Sequence, residues 1–445
     1  MSAPCEPAAE VAAWAASGAM WLTGPSGEAP LGPPAGLVPK LAAIGDVLAD
    51  RAAALGGHVV VEPLARLGQR AAIAGLRRHG DTSCGGATRL LPAADGCWLA
   101  VSLARPTDVE LVPAWLETGP IAGGVAPDAR LWDAVAARVA AAPAGVLLDR
   151  ALLLGLPVAV LPDVLPAVPH AAPPAAPPDV PPAPPVVAPP LATLPLRAVP
   201  VAGPPAPPRS DLHHVLVADL SSLWAGPLAG ALLAAAGATV VKVESTGRPD
   251  GARLGPAAFF DLLNAGKRSV ALDLRSRPGQ RLLHGLLARA DVVIEASRPR
   301  ALEQMGIDAT ALLAQARPRA WVSITGHGRT GPGRDRVGFG DDAAVAGGLV
   351  CWDGARPCFC ADAIADPTSG IVAAAAALGA LAAGGRWLLD VSMAGVAAHL
   401  AGPTLPAGDP PPLAVPPHAG PAPGHAPPLG RDTRAVLDEL GLAGS

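Results

Sequence analysis

A doubly wound α/β fold, built on a mostly parallel, Rossmann-like sheet, is predicted by three features of this sequence. From about residue 214 to 392, short β-branched runs alternate with amphipathic helical stretches, the pattern of strands covered on both faces by helices. The run VLVADLSSLWAGPLAGALLAAAGATVVKVES joins a strand to a helix through a Gly-Pro turn and returns to a second strand ending in Glu244. Pro-Ala repeats mark this region off from a less regular N-terminal part, which predicts a smaller α+β domain placed N-terminally and joined by Pro-rich linkers.

In order along the chain, a Gly turn, GDTSCGGATRLLPAADG, leads into the strand CWLAVSLA. Helices near 107–117, 130–140 and 145–154 and a strand PVAVL follow, completing a region over 1–160. Residues 161–210, with HAAPPAAPPDVPPAPPVVAPP, read as an extended spacer, because proline lacks the donor and the helical freedom to do otherwise. The sheet domain occupies 211–402. Its strands are expected near 214–219, 239–243, 269–274, 291–295, 319–325 and 387–392, and its helices near 226–236, 277–289, 308–316 and 364–383. A Pro-rich tail over 403–445 ends in a short amphipathic helix with Thr433, Val436, Leu437 and Leu440 on one face.

Composition narrows the function. Aromatics make up 3% of a chain that is 51% hydrophobic, so the cores rest on Ala, Leu and Val. A formal charge of −4 with no basic block argues against nucleic acid, and anionic ligands must be held locally. Lysine occurs only as Lys40, Lys242 and Lys267, the last two inside the sheet-domain motifs. Six cysteines without a regular framework, and no basic-then-apolar leader pattern, read as a cytoplasmic chain with reduced thiols. Cys351, Cys358 and Cys360 lack a fourth ligand for a tetrahedral site, so no metal is expected. The apolar run 371–383 is short for a membrane span, so no membrane partner is expected either.

The WAGPLAG turn carries binding chemistry. Pro227 suits a first helical position, Gly226 permits close backbone approach, and the free N–H groups of the helix start attract an anion. An ordinary βα turn looks the same. Glu244 stands where a nicotinamide enzyme keeps its ribose acid, but Gly226 is followed by Pro227 and then Gly230, which breaks the G-x-G-x-x-G needed for an oxidoreductase reading.

Taken with LNAGKRSVALDLRSRPG, DVVIEASRP and ADAIADPTSGIVAAAAALGAL, this turn resembles the class III coenzyme A-transferases, the family of formyl-CoA and carnitine CoA-transferases and α-methylacyl-CoA racemase. The resemblance implies that Trp224, Ala225, Ser245, Leu272, Arg275, Ala296, Ser297 and Gln304 line coenzyme A. Arg275 suits a phosphate through its planar fork. Trp224, Ser245 and Gln304 replace the family's commoner Gln, Arg and Arg; Arg248, Arg253 and Arg298 are near enough in sequence to compensate. It also implies that Asp366 is a covalent nucleophile, passing through an aspartyl anhydride and an aspartyl-CoA thioester. On its own, Asp366 in D-P-T-S-G reads first as a helix N-cap; the match to the family's segment is what favours the nucleophile. Gly85 and Gly86 resemble the family's mobile Gly-rich loop, and an ordinary turn before the next strand is the competing reading. Cys84 beside them lacks an activating partner in sequence.

The implied function is transfer of coenzyme A between an acyl-CoA donor and a carboxylic acid, with the thioester as substrate, no permanently bound cofactor, and a homodimer as the family's assembly. Segment 323–349 also matches the family. It reads Gly338-Phe339-Gly340 where the racemase branch has its His-Asp pair, which disfavours racemisation although His327 is nearby. A non-catalytic CoA-binding or scaffolding homologue is the rival reading. The family's small domain normally follows the nucleophile, so 1–160 reads as a displaced small domain. A fusion of two truncated copies is the alternative, since 17–34 echoes 346–363; there Pro39-Lys40-Leu41 stand where an aspartate is expected.

Overall fold

The computed structural model describes residues 6–119, 126–163, 191 and 193–442. The chain begins with helices α1 (Pro7–Ala16), α2 (Leu37–Ala54), α3 (Pro63–Arg66) and α4 (Gln69–Ala74). In α2, Leu37, Leu41, Ile44, Leu48 and Ala52 recur every three or four residues and form one buried face. A three-stranded antiparallel sheet follows, in the order β1 (Thr88–Pro92), β2 (Trp98–Ser102), β3 (Val158–Val160). Helices α5 (Pro106–Leu116), α6 (Ala129–Val139) and α7 (Ala144–Leu154) close it with a core of its own around Trp115, Trp132, Val135 and Leu147.

The main sheet comprises β4 (Arg197–Pro200), β5 (Leu216–Asp219), β6 (Thr239–Ser245), β7 (Arg268–Leu272), β8 (Val292–Glu295), β9 (Ala320–Thr325) and β12 (Trp387–Ser392). Between β9 and β12 the chain forms a separate hairpin of β10 (Val350–Asp353) and β11 (Arg356–Phe359). The main-sheet order is β4-β12-β9-β8-β5-β6-β7, and every pairing is parallel except β4 with β12. Helices of this region are α8 (Ala225–Ala235), α9 (Ala257–Asn264), α10 (Arg277–Leu287), α11 (Pro299–Glu303), α12 (Ala309–Gln315), α13 (Gly340–Ala346), α14 (Ala365–Ala383), α15 (Met393–Leu400) and α16 (Thr433–Glu439). Alternate strand residues feed two cores: Val217 and Val240 face one with α8 and α14, while Ala218 and Val241 face the other with α10 and α16. The doubly wound, mostly parallel α/β fold is therefore present, with the smaller α+β unit N-terminal to it.

α14 is long and apolar enough by length and composition to cross a membrane, yet it lies buried among α8, α2, α15 and the sheet. Its Ala-rich surface lets neighbours approach closely: a side chain at Gly370 would meet the Ala225 carbonyl at 2.6 Å.

Two boundaries differ from the sequence reading. The region 1–160 is not one unit, because α1 and α2 belong to the core of the main sheet domain and only β1 to β3 with α5 to α7 form the small one. The spacer assigned to 161–210 ends early: Leu191 and Leu194 are buried, and β4 adds an antiparallel edge strand. An edge tolerates Pro200 at the strand end, which is why a Pro-rich stretch hid a strand. Residues 164–190 and 192 of that spacer lie outside the described residues. The Pro-rich tail is strapped down, with Val415 N donating to Ala15 O at 3.0 Å and Asp432 N to Ser269 O at 2.9 Å.

Candidate active site

The chain leaves β5 for β6 on one side and later re-enters at β8 on the other, so the carboxyl ends of β5 and β8 border a topological switch point. Trp224 and Ala225 follow β5; Ala296 and Ser297 follow β8. Ser245 ends β6, and Arg275 lies exposed just beyond β7. Those residues share one edge of the sheet. Leu272 is sealed at 3% exposure in the core beneath it, and Gln304 is exposed just after α11. Trp224 is buried, edge-on to Phe259 at 5.3 Å, with the Arg70 guanidinium 5.3 Å over its ring.

The turn before α8 is braced by buried charge. Lys267 Nζ donates to Asp219 Oδ2 at 2.8 Å, to Pro227 O at 2.8 Å and to Asn264 Oδ1 at 3.1 Å. Asp219 also accepts from Ser221 N and Oγ. Lys242 pairs with Asp250 at 2.8 Å, and Asp250 accepts from Leu223 N at 3.0 Å. The two motif lysines are therefore internal braces, and the candidate ligand cations are arginines. Leu223 is held at φ 70°, a strained conformation for a non-glycine residue at the mouth of the turn. Gly226 is needed against the protein itself, since a side chain there would meet Ser221 Cβ at 2.1 Å.

Glu244 is saturated, accepting from Arg253 Nε at 2.9 Å, Arg253 NH2 at 2.6 Å and Asp250 N at 3.0 Å. No carboxylate is left for a ribose, and Arg253 cannot stand in for the absent family arginines. Arg298, by contrast, makes no ion pair among the described residues. It lines a cleft of about 380 Å³ with Arg105, Arg300, Asp335 and Arg336 beside Ser297.

Asp366 lies at the second position of α14, whose N-cap is Ile364. Its side chain does not cap that helix; it accepts from the Gly340 backbone N–H of α13. A side chain at Gly340 would collide with Asp366 Oδ2 at 2.4 Å, so glycine here lets the carboxylate reach the backbone. Around it stand Asp341, Asp362 and Arg70. Asp362 is fully buried and gripped by Arg70, whose Nε lies 2.9 Å from Oδ2 and whose NH2 bonds Oδ1. Burial raises Asp366 to about 7, with Asp341 and Asp362 adding to the rise and Arg70 opposing it. Asp341 is likewise lifted by burial to about 7, and Asp342 to about 8. Asp366 as a residue keeps intermediate exposure, while its carboxylate is set among these neighbours.

The loop carrying Gly85 and Gly86 meets this cluster. Gly85 sits 3.6 Å from Arg70 NH2, measured from where a side chain would start, and Ser83 bonds Asp341. Gly86, at φ 77°, turns instead toward a second cavity of about 460 Å³ lined by His79, Thr82, Arg89 and Trp132. Cys84 is buried, its thiol facing the carbonyls of Leu22 and Ala361, and burial with Asp362 and Asp341 nearby keeps it protonated. His327 has Nε2 buried without a hydrogen-bond partner, and burial depresses it to about 3, leaving a neutral ring. Among the described residues, no group of three His, Cys, Asp or Glu side chains is arranged to hold a metal ion.

Sequence reasoning missed Arg70, Asp362 and Glu295. Asp362 had a signal, four residues before Asp366 in a buried run; Arg70, far away in sequence, had none. Glu295 ends β8 fully buried and bonds Ser323, Ser297 and Arg329.

A sheet edge at a topological switch point and a carboxylate cluster centred on Asp366 are thus the features this α/β protein brings together. Residues 212–427, a little under half of the chain, match the model of CoA-transferase family III. It is 37% identical over 150 residues to the succinyl-CoA–D-citramalate CoA-transferase of Chloroflexus aurantiacus, covering 32% of this chain and 37% of that one. The succinate–glutarate CoA-transferase of Agrobacterium fabrum is 33% identical over 189 residues, 39% of this chain and 47% of that one. The chain thus spans less than half the length of these curated relatives. A crystal structure of a CAIB/BAIF family protein from Brucella suis aligns at 32% identity and a TM-score of 0.39, over 42% of this chain and 54% of that one.

Proposed function

We propose that this chain moves coenzyme A between an acyl-CoA donor and a carboxylic acid acceptor, with Asp366 as the covalent nucleophile. The observation that carries the reading is the Asp366 carboxylate itself. The residue keeps intermediate exposure, does not cap its own helix, lies inside the segment matched by the family model, and stands with Asp341 and Arg70, the two residues that the Ser83–Gly85 segment touches.

Asp366 attacks the thioester carbonyl; the C–S bond breaks, leaving a mixed anhydride and CoA thiolate. Thiolate then attacks the aspartyl carbonyl and expels the donor acid, leaving an aspartyl-CoA thioester. The acceptor carboxylate attacks that thioester and releases thiolate again. Thiolate finally attacks the acceptor's acyl carbon and frees Asp366. Each anhydride must be kept from water, the role assigned to the Gly85–Gly86 loop. Trp224, Ala225, Ser245, Ala296 and Ser297 would border the pantetheine and nucleotide, Arg275 and Arg298 the phosphates. Leu272 would support that edge from beneath and Gln304 would lie at its rim.

The names of the relatives pair succinyl-CoA with D-citramalate and succinate with glutarate, so short dicarboxylic acids head the panel of acceptors to test. Acyl-CoA esters followed by hydroxylamine should mark the peptide containing Asp366, since an anhydride or aspartyl thioester is trapped where a plain carboxylate is not. Labelling at Cys84 would assign the nucleophile elsewhere. CoA binding with neither adduct nor acyl exchange would leave a CoA-binding protein without transferase activity.

A further inference from the structure

Arg70 comes from α4, far outside the family-matched segment, and yet its guanidinium reaches the centre of the carboxylate cluster. Resting on the reading of Asp366 as nucleophile, we infer that Arg70 is its positioning residue: clamped on Asp362, four residues before Asp366, and seated over Trp224, it holds a fixed positive charge between the carboxylate cluster and the coenzyme A edge.

Four observations converge. The two bonds to Asp362 fix the fork in one orientation. The guanidinium lies 5.3 Å above the Trp224 ring, which the resemblance places against coenzyme A. Gly85 stands at its NH2 end, within van der Waals reach. About 31% of the side chain remains exposed, so the clamp is not sealed inside the core.

The other charges near Asp366 work against ionisation. Asp341, Asp342 and Asp362 are acids, and Cys84 is a protonated thiol. Lys40 and Arg51, on the helix packed along α14, are committed to the His399 and Ala375 carbonyls at 2.8 and 2.9 Å. Among the described residues, Arg70 is the cation that acts on Asp366, and it opposes the rise that burial imposes.

The test is the pH dependence of acyl exchange in the full chain. Removing the charge with Arg70→Gln should move the acidic limb of the rate profile up by about one pH unit or more. Arg70→Lys should leave the limb near its original position while lowering turnover, because an ammonium cannot span both Asp362 oxygens. Asp362→Asn removes a neighbouring negative charge and frees Arg70 of its partner, so the limb should move down. That opposite sign keeps the test decisive if Arg70→Gln folds poorly. A folded Arg70→Gln with an unmoved limb, an equal shift in Arg70→Lys, or an upward or absent shift in Asp362→Asn would overturn the inference. Asp366→Asn, run alongside, separates the two failures. If it remains active, the nucleophile reading falls and the role of Arg70 with it; if it is inactive and the Arg70 variants leave the limb in place, only the role of Arg70 falls.

Discussion

Replacing Asp366 with Asn changes almost no volume and removes one negative charge. Since the Gly340 N–H can bond the amide oxygen as it does the carboxylate, folding and CoA binding should survive. Transfer should fall by about a thousandfold or more. Steady-state acyl exchange checks this, and near-normal turnover would mean that Asp366 is structural. Asp342 allows a second experiment of defined sign. Folded, it holds its proton up to about pH 8; unfolded, it releases it near the ordinary value of about 4. Between those limits the native state binds more protons, so stability falls as pH rises. Asp342→Asn escapes that loss, and its melting temperature relative to wild type should improve between pH 5 and pH 8.5; a constant difference would contradict it. Arg275 is exposed beyond β7, and Arg275→Ala should weaken CoA more than dephospho-CoA in calorimetry. Equal losses would remove the 3′-phosphate from its role. None of these environments was readable from sequence, because burial and the Asp362–Arg70 clamp are set by chain segments hundreds of residues apart.

At the scale of elements, the sequence was most legible where a local rule and the tertiary structure agree. The β5–α8–β6 unit and α14 fall within two residues of expectation, since β-branched strands and an Ala-rich helix need no distant partner to be recognised. α2 carried its apolar stripe openly at 37, 41, 44 and 48, yet only the fold shows that the stripe faces α14. β4 was masked by prolines that an edge can hold. The role of the motif lysines was not legible for a related reason: the partners of a cation in a βα motif are visible only in the fold. Lys267 closes the β5–α8 turn with Asp219, both with essentially no exposure. Lys267→Met should leave Asp219 charged, buried and unpaired, at a cost of about 3–5 kcal/mol. Denaturant unfolding measures that loss. The double change Asp219→Asn with Lys267→Met should recover part of it, whereas a single variant as stable as wild type would show the brace to be dispensable.

For the whole molecule, what matters is how a Pro-rich interruption coexists with one shared core. The segment before it does more than carry the small sheet. α2 lies along α14, Arg51 NH1 bonds Ala375 O at 2.9 Å, Lys40 Nζ bonds His399 O at 2.8 Å, and Arg70 holds Asp362. The later segment returns the contact through its tail, with Ala35 N on Pro403 O at 2.8 Å and Val415 N on Ala15 O at 3.0 Å. Composition had suggested two bodies on a tether, because proline punctuates sequence strongly while interleaving leaves no local mark. A protease site introduced between residues 164 and 190 separates the two descriptions. Cleavage there breaks the chain but none of the contacts named above, so the two fragments should co-elute on a sizing column and unfold in one transition. Acyl exchange should survive the cut, because the Arg70–Asp362 clamp and the Gly85 loop stay in place without chain continuity. A second cut between the fragments' own elements, inside α2, should by contrast open the shared core and abolish both association and activity. Fragments that part after the first cut, each folded alone, would mean that the N-terminal helices are not part of the catalytic body.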